Sequence, residues 1–98
     1  MRGSDFAELK AFVAVVERKS FARAAEHLGL SPSALSQTIR QLEGRMGARL
    51  LNRTTRSVAP SASGEQLYMR IAPLFREITD AVAEVSEATG QMSGTLRI

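Results

Sequence analysis

The sequence has no cysteine and no tryptophan, one histidine, one tyrosine and three prolines among 98 residues. Without cysteine there is neither a disulfide frame nor a thiolate metal site, which fits a reducing compartment. A lone histidine, His27, leaves too few ligands for a typical zinc site, so no metal or other cofactor is expected. His27 also falls off the Phe21, Ala25, Leu28 face of its helix, which gives it a surface role. Lys10 and Lys19 are isolated, there is no phosphate-binding glycine loop, and no Ser-His-Asp arrangement stands out; an enzyme is not expected. No apolar run approaches the roughly 18 residues of a membrane span, and no secretory signal is visible. Residues 1–4, MRGS, look like an expression-vector leader, so the folded domain is expected to start at Asp5.

What remains is globular in composition, with 44% hydrophobic residues in a length that suits one small domain. The net charge of +3 is unevenly spread. Through Pro60 there are ten Lys or Arg against five Asp or Glu, a charge of +5; from Ser61 onward there are three against five, a charge of −2. A basic front suits a polyanion, and an acidic rear implies another task.

The chain is organised around SPSALSQTIRQLE, residues 31–43. Ser31 is a helix cap and Pro32 a first helical residue, where a missing N–H costs nothing. Leu35, Ile39, Leu42 and Met46 then form one apolar stripe. At about 100° per residue the opposite face carries Ser33, Gln37, Arg40 and Gly44, flanked by Ser36 and Gln41. That face holds hydroxyls, amides and an arginine, and no acid until Glu43 toward its flank. Such side chains bond base edges in a major groove, where a carboxylate would meet phosphate repulsion. By itself the face also fits a neutral surface helix, so its neighbours decide.

Upstream, Asp5 and Glu8 read as a capping box opening a helix from about Phe6 to Arg18, with Phe6, Leu9, Phe12, Val13 and Val16 on its apolar stripe. Lys19 and Ser20 break it. Ser20 caps a short second helix on which Phe21, Ala24, Ala25 and Leu28 share a face, the alanines allowing close approach. Gly29 ends that helix in the left-handed conformation, with only Leu30 between it and Ser31. Two short helices across a tight glycine turn, the second with an acid-free face, form a helix-turn-helix.

Downstream, the third helix closes at Gly47. Leu50-Leu51-Asn52-Arg53 and Ser57-Val58-Ala59 flank a polar, basic tip and predict a small β-hairpin. Arg53 and Arg56 beside Thr54 suit phosphate contact or the minor groove, which makes the hairpin a wing. Ser61 or Ser63 then caps a long helix, Ser63 with Gln66 offering a capping box. Leu67, Ile71, Leu74, Ile78, Ala81, Val85 and Ala88 repeat as a heptad seam. A helix of about 27 residues spans roughly 40 Å, more than so small a domain covers, so a homodimer through residues 61–90 is expected. Pro73 should bend this helix or cost it a hydrogen bond. Gly90 to Gly94 breaks it, and Thr95 to Ile98 looks like the start of a strand.

These segments, from Phe6 through Gly64, resemble the N-terminal winged helix-turn-helix of LysR-type transcriptional regulators. SFARAAEHL is similar to that family's second helix, LSPSALSQTIRQLE to its recognition helix and LLNRTTRSVAPS to its wing. The helix after Ser61 resembles its linker helix, and GTLRI the first strand of an effector-binding domain otherwise not present. The resemblance implies a bacterial, cytoplasmic regulator that binds double-stranded DNA at an interrupted inverted repeat. It implies a dimer through the linker helix, tetramers only in full-length members, and a co-inducer bound in the effector domain, hence no small-molecule ligand in this stretch. By position it places Pro32, Ser33, Ala34, Ser36 and Gln37 at bases and nearby phosphates, and Arg53 and Arg56 at wing contacts. Gln37 stands where the family commonly has arginine; Gln favours adenine where Arg favours guanine.

The expected fold is thus mainly α: a winged helix-turn-helix over 5–60 (helix-turn-helix about 21–40, wing about 50–59), a linker and dimerisation helix over 61–90, and a hinge over 91–98. Base-reading falls to Pro32, Ser33, Ala34, Gln37 and Arg40, and phosphate or minor-groove contact to Ser31, Ser36, Arg53, Thr54 and Arg56. Two rivals stay open: a non-specific architectural DNA binder, and a coiled-coil module whose front domain binds protein.

Overall fold

Three helices, a two-stranded hairpin and one long helix follow one another in a computed structural model that describes residues 3–54 and 57–89. They are α1 (Gly3–Arg18), α2 (Phe21–Leu28), α3 (Pro32–Met46), β1 (Leu51–Arg53), β2 (Val58–Pro60) and α4 (Ala62–Thr89). The expected leader start, Arg56 at the wing tip, and the hinge and strand of 91–98 lie outside the described residues.

Most boundaries follow from local chemistry. Ser20 caps α2 by accepting from the Arg23 N–H, and Gly29 closes it at φ 73°. Ser31 caps α3 by accepting from the Ala34 N–H, with Pro32 in the first turn, and Gly47 closes it at φ 67°. Lys19 ends α1 in the left-handed region too, at φ 57°, its N–H on the Val15 carbonyl. A side chain there costs about 1 kcal/mol or more, and the short link into the Ser20 cap holds it in place.

The start of α1 departs from the expected capping box. The helix begins at Gly3, so Asp5 and Glu8 lie inside it. Both carboxylates instead meet the Arg45 guanidinium at the far end of α3. Glu8 is the one buried charged residue among those described, and an ion pair to a neighbouring helix is what makes its burial tolerable.

The core lies between α1, α2 and α3 and is floored by the base of the hairpin. Phe12, Val15, Leu35, Ile39, Leu50 and Leu51 are its largest fully buried side chains. Ala24 and Ala25 are fully buried, which lets α2 sit close to its neighbours. The strands pair antiparallel, Leu51 opposite Pro60 and Arg53 opposite Val58. The cap of α4 is Ser61, which settles the choice left open with Ser63. Its hydroxyl accepts from the Gly64 N–H and donates to the Arg49 carbonyl, while its own N–H bonds the Leu50 carbonyl.

The first half of α4 packs on the domain and the rest leaves it. Leu67, Tyr68, Ile71 and Phe75 are half-buried against the core and Ala72 is buried, whereas every residue from Arg76 to Ala88 is exposed. The helix runs through Pro73 without a break. What proline costs here is one hydrogen bond, since it has no N–H to give the Met69 carbonyl. Tyr68 ties α4 to α1 by donating to the Glu17 carboxylate at 3.0 Å. Burial pushes its phenol above the ordinary value, and the Glu17 carboxylate pushes the same way.

Candidate nucleic-acid interface

The outer face of α3 keeps the character expected from its sequence. Pro32, Ser33, Gln37, Arg40 and Gln41 are exposed, and Ala34 and Ser36 are half-exposed. The helix carries a single acid, Glu43. That carboxylate turns inward, where Oε2 accepts from the backbone N–H groups of Leu50 at 2.8 Å and Leu51 at 3.1 Å. Glu43 is therefore the anchor for the first strand of the wing, a role its position on the helical wheel does not reveal. The face is left without negative charge because its one acid is used inside the fold.

Ser31 and Thr54 are partly committed to local structure. The Ser31 oxygen serves as the α3 cap, and its hydroxyl proton is still available to an acceptor outside the helix. Thr54 closes the wing turn: its N–H bonds the Ser57 carbonyl at 2.9 Å and its hydroxyl accepts from the Ser57 N–H at 3.0 Å.

Ser36 is the meeting point of helix and wing. Its Oγ accepts from Arg40 Nη1 at 3.3 Å, one turn along α3, and from Arg53 Nη1 at 3.0 Å, from β1. The Arg53 guanidinium also lies over the Phe21 ring, 4.4 Å from its centroid. Two arginines from different elements are thus gathered on the exposed side of α3. The sequence offered the Ser36–Arg40 pair through its spacing of four, but gave no sign of Phe21, read only as a core residue. His27 is exposed as expected, and its Nδ1 accepts from Arg18 at 2.9 Å.

Away from this face there is little built chemistry. No cluster of His, Cys, Asp and Glu among the described residues could hold a metal ion. No helix among them is long and apolar enough to cross a membrane. An apolar groove of about 190 Å³ runs between α1 and α4, lined by Phe6, Leu9, Ile71, Leu74, Phe75 and Ile78.

A second helix presented on a helix-turn-helix, with a β-hairpin beside it, defines a winged helix-turn-helix domain. Residues 6–65 match the family described as "Bacterial regulatory helix-turn-helix protein, lysR family", and the chain belongs to that family. It is 47% identical over 98 residues to the HTH-type transcriptional regulator PgrR of Escherichia coli (strain K12), covering 100% of this chain and 33% of that protein. It is 46% identical over 90 residues to the HTH-type transcriptional regulator PtxR of Pseudomonas aeruginosa, covering 92% of this chain and 29% of that one. The chain therefore spans about a third of the length of such relatives. Among solved structures it resembles one titled "Crystal Structure of BenM_DBD/catB site 1 DNA Complex", with a TM-score of 0.74 at 34% identity over 87% of this chain and 96% of that one. It also resembles the full-length Vibrio cholerae virulence activator AphB, with a TM-score of 0.78 at 26% identity over 88% of this chain and 29% of that one.

Proposed function

We propose that this chain binds double-stranded DNA as a homodimer and serves as the DNA-binding part of a LysR-type transcription regulator in a bacterial cytoplasm. The observation that carries the reading is the exposed, acid-free face of α3 with two arginines gathered at Ser36. The likeness to a protein solved as a DNA complex supports it. On this reading α3 lies in the major groove. Pro32, Ser33, Ala34 and Gln37 meet base edges, with Arg40 further along the same face. Ser31, Ser36, Arg53, Thr54 and Arg56 hold phosphates or the minor groove. Two copies joined along α4 place two such helices on an interrupted inverted repeat, and α4 forms the link toward an effector-binding domain.

Selection of random duplexes by the purified chain at near-physiological salt tests this. Enrichment of a short interrupted palindrome is the expected result. Binding without an enriched motif would instead describe a backbone binder. Repeating the selection with Gln37→Ala should relax one base pair per half-site, a loss of about 1–3 kcal/mol of discrimination. An unchanged motif would show that Gln37 does not face the bases.

A further inference from the structure

We propose that Phe21 is a positioning residue for DNA binding. It holds the wing arginine Arg53 beside Arg40, so that the two guanidinium groups form one clamp for a backbone phosphate. The inference rests on the DNA-binding reading above and adds to it a residue that touches neither base nor phosphate.

The geometry points to a clamp because of what each partner can and cannot supply. Arginine is always charged, so Arg40 and Arg53 repel one another wherever they meet. They nevertheless converge on one oxygen, Ser36 Oγ, at 3.3 and 3.0 Å. A neutral hydroxyl offers two lone pairs and no charge, so the pair lacks a counter-ion from α3. The one acid of that helix, Glu43, is spent on the Leu50 and Leu51 N–H groups. Two exposed guanidinium groups around one small acceptor match a phosphate, which takes parallel N–H bonds and supplies the missing charge.

Phe21 determines whether Arg53 is available there. Arg53 sits on a three-residue strand, is exposed, and has a long side chain with much rotamer freedom to lose on binding. The Phe21 ring, itself half-buried against the core, offers its face to the guanidinium at 4.4 Å. That contact, with the bond to Ser36, fixes the side chain before any ligand arrives and removes part of its ordering cost. It also couples the wing to the helix-turn-helix, since Phe21 opens α2 while Arg53 ends β1.

The test is a double-mutant cycle on affinity for a mixed-sequence duplex, because a phosphate clamp acts on every sequence. Phe21→Leu, which keeps an apolar side chain but removes the ring, should weaken binding about two- to five-fold, the equivalent of an exposed cation–π contact. Phe21→Tyr, which keeps the ring, should bind as the parent does. In an Arg53→Ala background Phe21→Leu should cost nothing further, because its effect passes through Arg53. An equal loss in both backgrounds, or no loss with Phe21→Leu, overturns the proposal, and so does a Phe21→Tyr protein as weak as Phe21→Leu. Thermal melting of each variant separates this from unfolding: a Phe21→Leu chain that melts early is replaced in the cycle by Phe21→Met. If the parent chain binds no duplex at all, the DNA-binding reading itself fails, an outcome distinct from an additive cycle.

Discussion

Gly44 and Gly64 both lie inside helices, where glycine ordinarily costs about 0.5–1 kcal/mol relative to alanine. A methyl group added at Gly44 meets nothing within 4 Å. At Gly64 it would stand 2.0 Å from the Leu50 carbonyl oxygen and 3.3 Å from Pro60 Cβ. That oxygen belongs to backbone already bonded to the Ser61 N–H, so it cannot move aside cheaply. Gly44→Ala should therefore raise stability by about 0.5–1 kcal/mol, while Gly64→Ala should lower it by about 1–3 kcal/mol as the first turn of α4 is pushed off the wing base. Urea unfolding of the two variants checks both signs. Two stabilised proteins would mean that the α4 start yields easily. This contrast was not legible in the sequence: both glycines sit in helical patterns, and only the approach of Leu50, fourteen positions upstream of Gly64, separates them.

At the scale of elements, what the sequence conveys is whatever a residue does to its own neighbours. Ser20, Gly29, Ser31, Pro32 and Gly47 mark their helix ends because a cap oxygen or a left-handed glycine acts within four residues. The same locality explains the misreading at α1. Asp5 and Glu8 have the spacing of a capping box, but also one turn's spacing on a helix face, and Arg45 is what they serve. Glu43 was legible as absent from the outer face, yet its bonds to Leu50 and Leu51 depend on how the chain turns after Gly47. The Arg45 clasp fastens the start of α1 to the end of α3. Removing it leaves the Glu8 carboxylate buried without that partner, a cost of several kcal/mol for a fully buried pair. The Arg45 side chain is 45% exposed, so water can follow it in and the expected loss for Arg45→Ala is smaller, about 1–3 kcal/mol. Adding Glu8→Ala to Arg45→Ala should recover part of that loss, because the buried Glu8 charge is then gone as well. Strictly additive losses in urea unfolding would show that the pair contributes nothing as a pair.

The described residues span 45 × 25 × 22 Å, a length set by an α4 that outruns the domain it starts on. This length was legible, as was an apolar seam along it, but not the point where the seam leaves the domain. Leu67 and Ile71 lie half-buried against the core, while Leu74, Ile78 and Val85 are 56, 48 and 64% exposed. Phe6 and Leu9 of α1 extend this apolar surface sideways through the groove they share with Leu74 and Ile78. A contiguous apolar surface of this kind marks an interaction site, and the proposed occupant is the α4 of a second copy. In a two-fold dimer each residue is used twice. If Ile78 is buried there, losing it removes about 1.5–3 kcal/mol per copy, and glutamate adds charge beside Glu77 and Asp80. Ile78→Glu should then raise the dimer dissociation constant by at least about a hundred-fold, the equivalent of roughly 3 kcal/mol. Sedimentation at micromolar concentration would read this as a shift from dimer to monomer. Binding to a selected palindrome should fall to that of a half-site, with Gln37 and the Ser36 arginines still reading it. A parent chain that sediments as a monomer, or an Ile78→Glu chain that stays dimeric, would place the contact between copies elsewhere on the molecule.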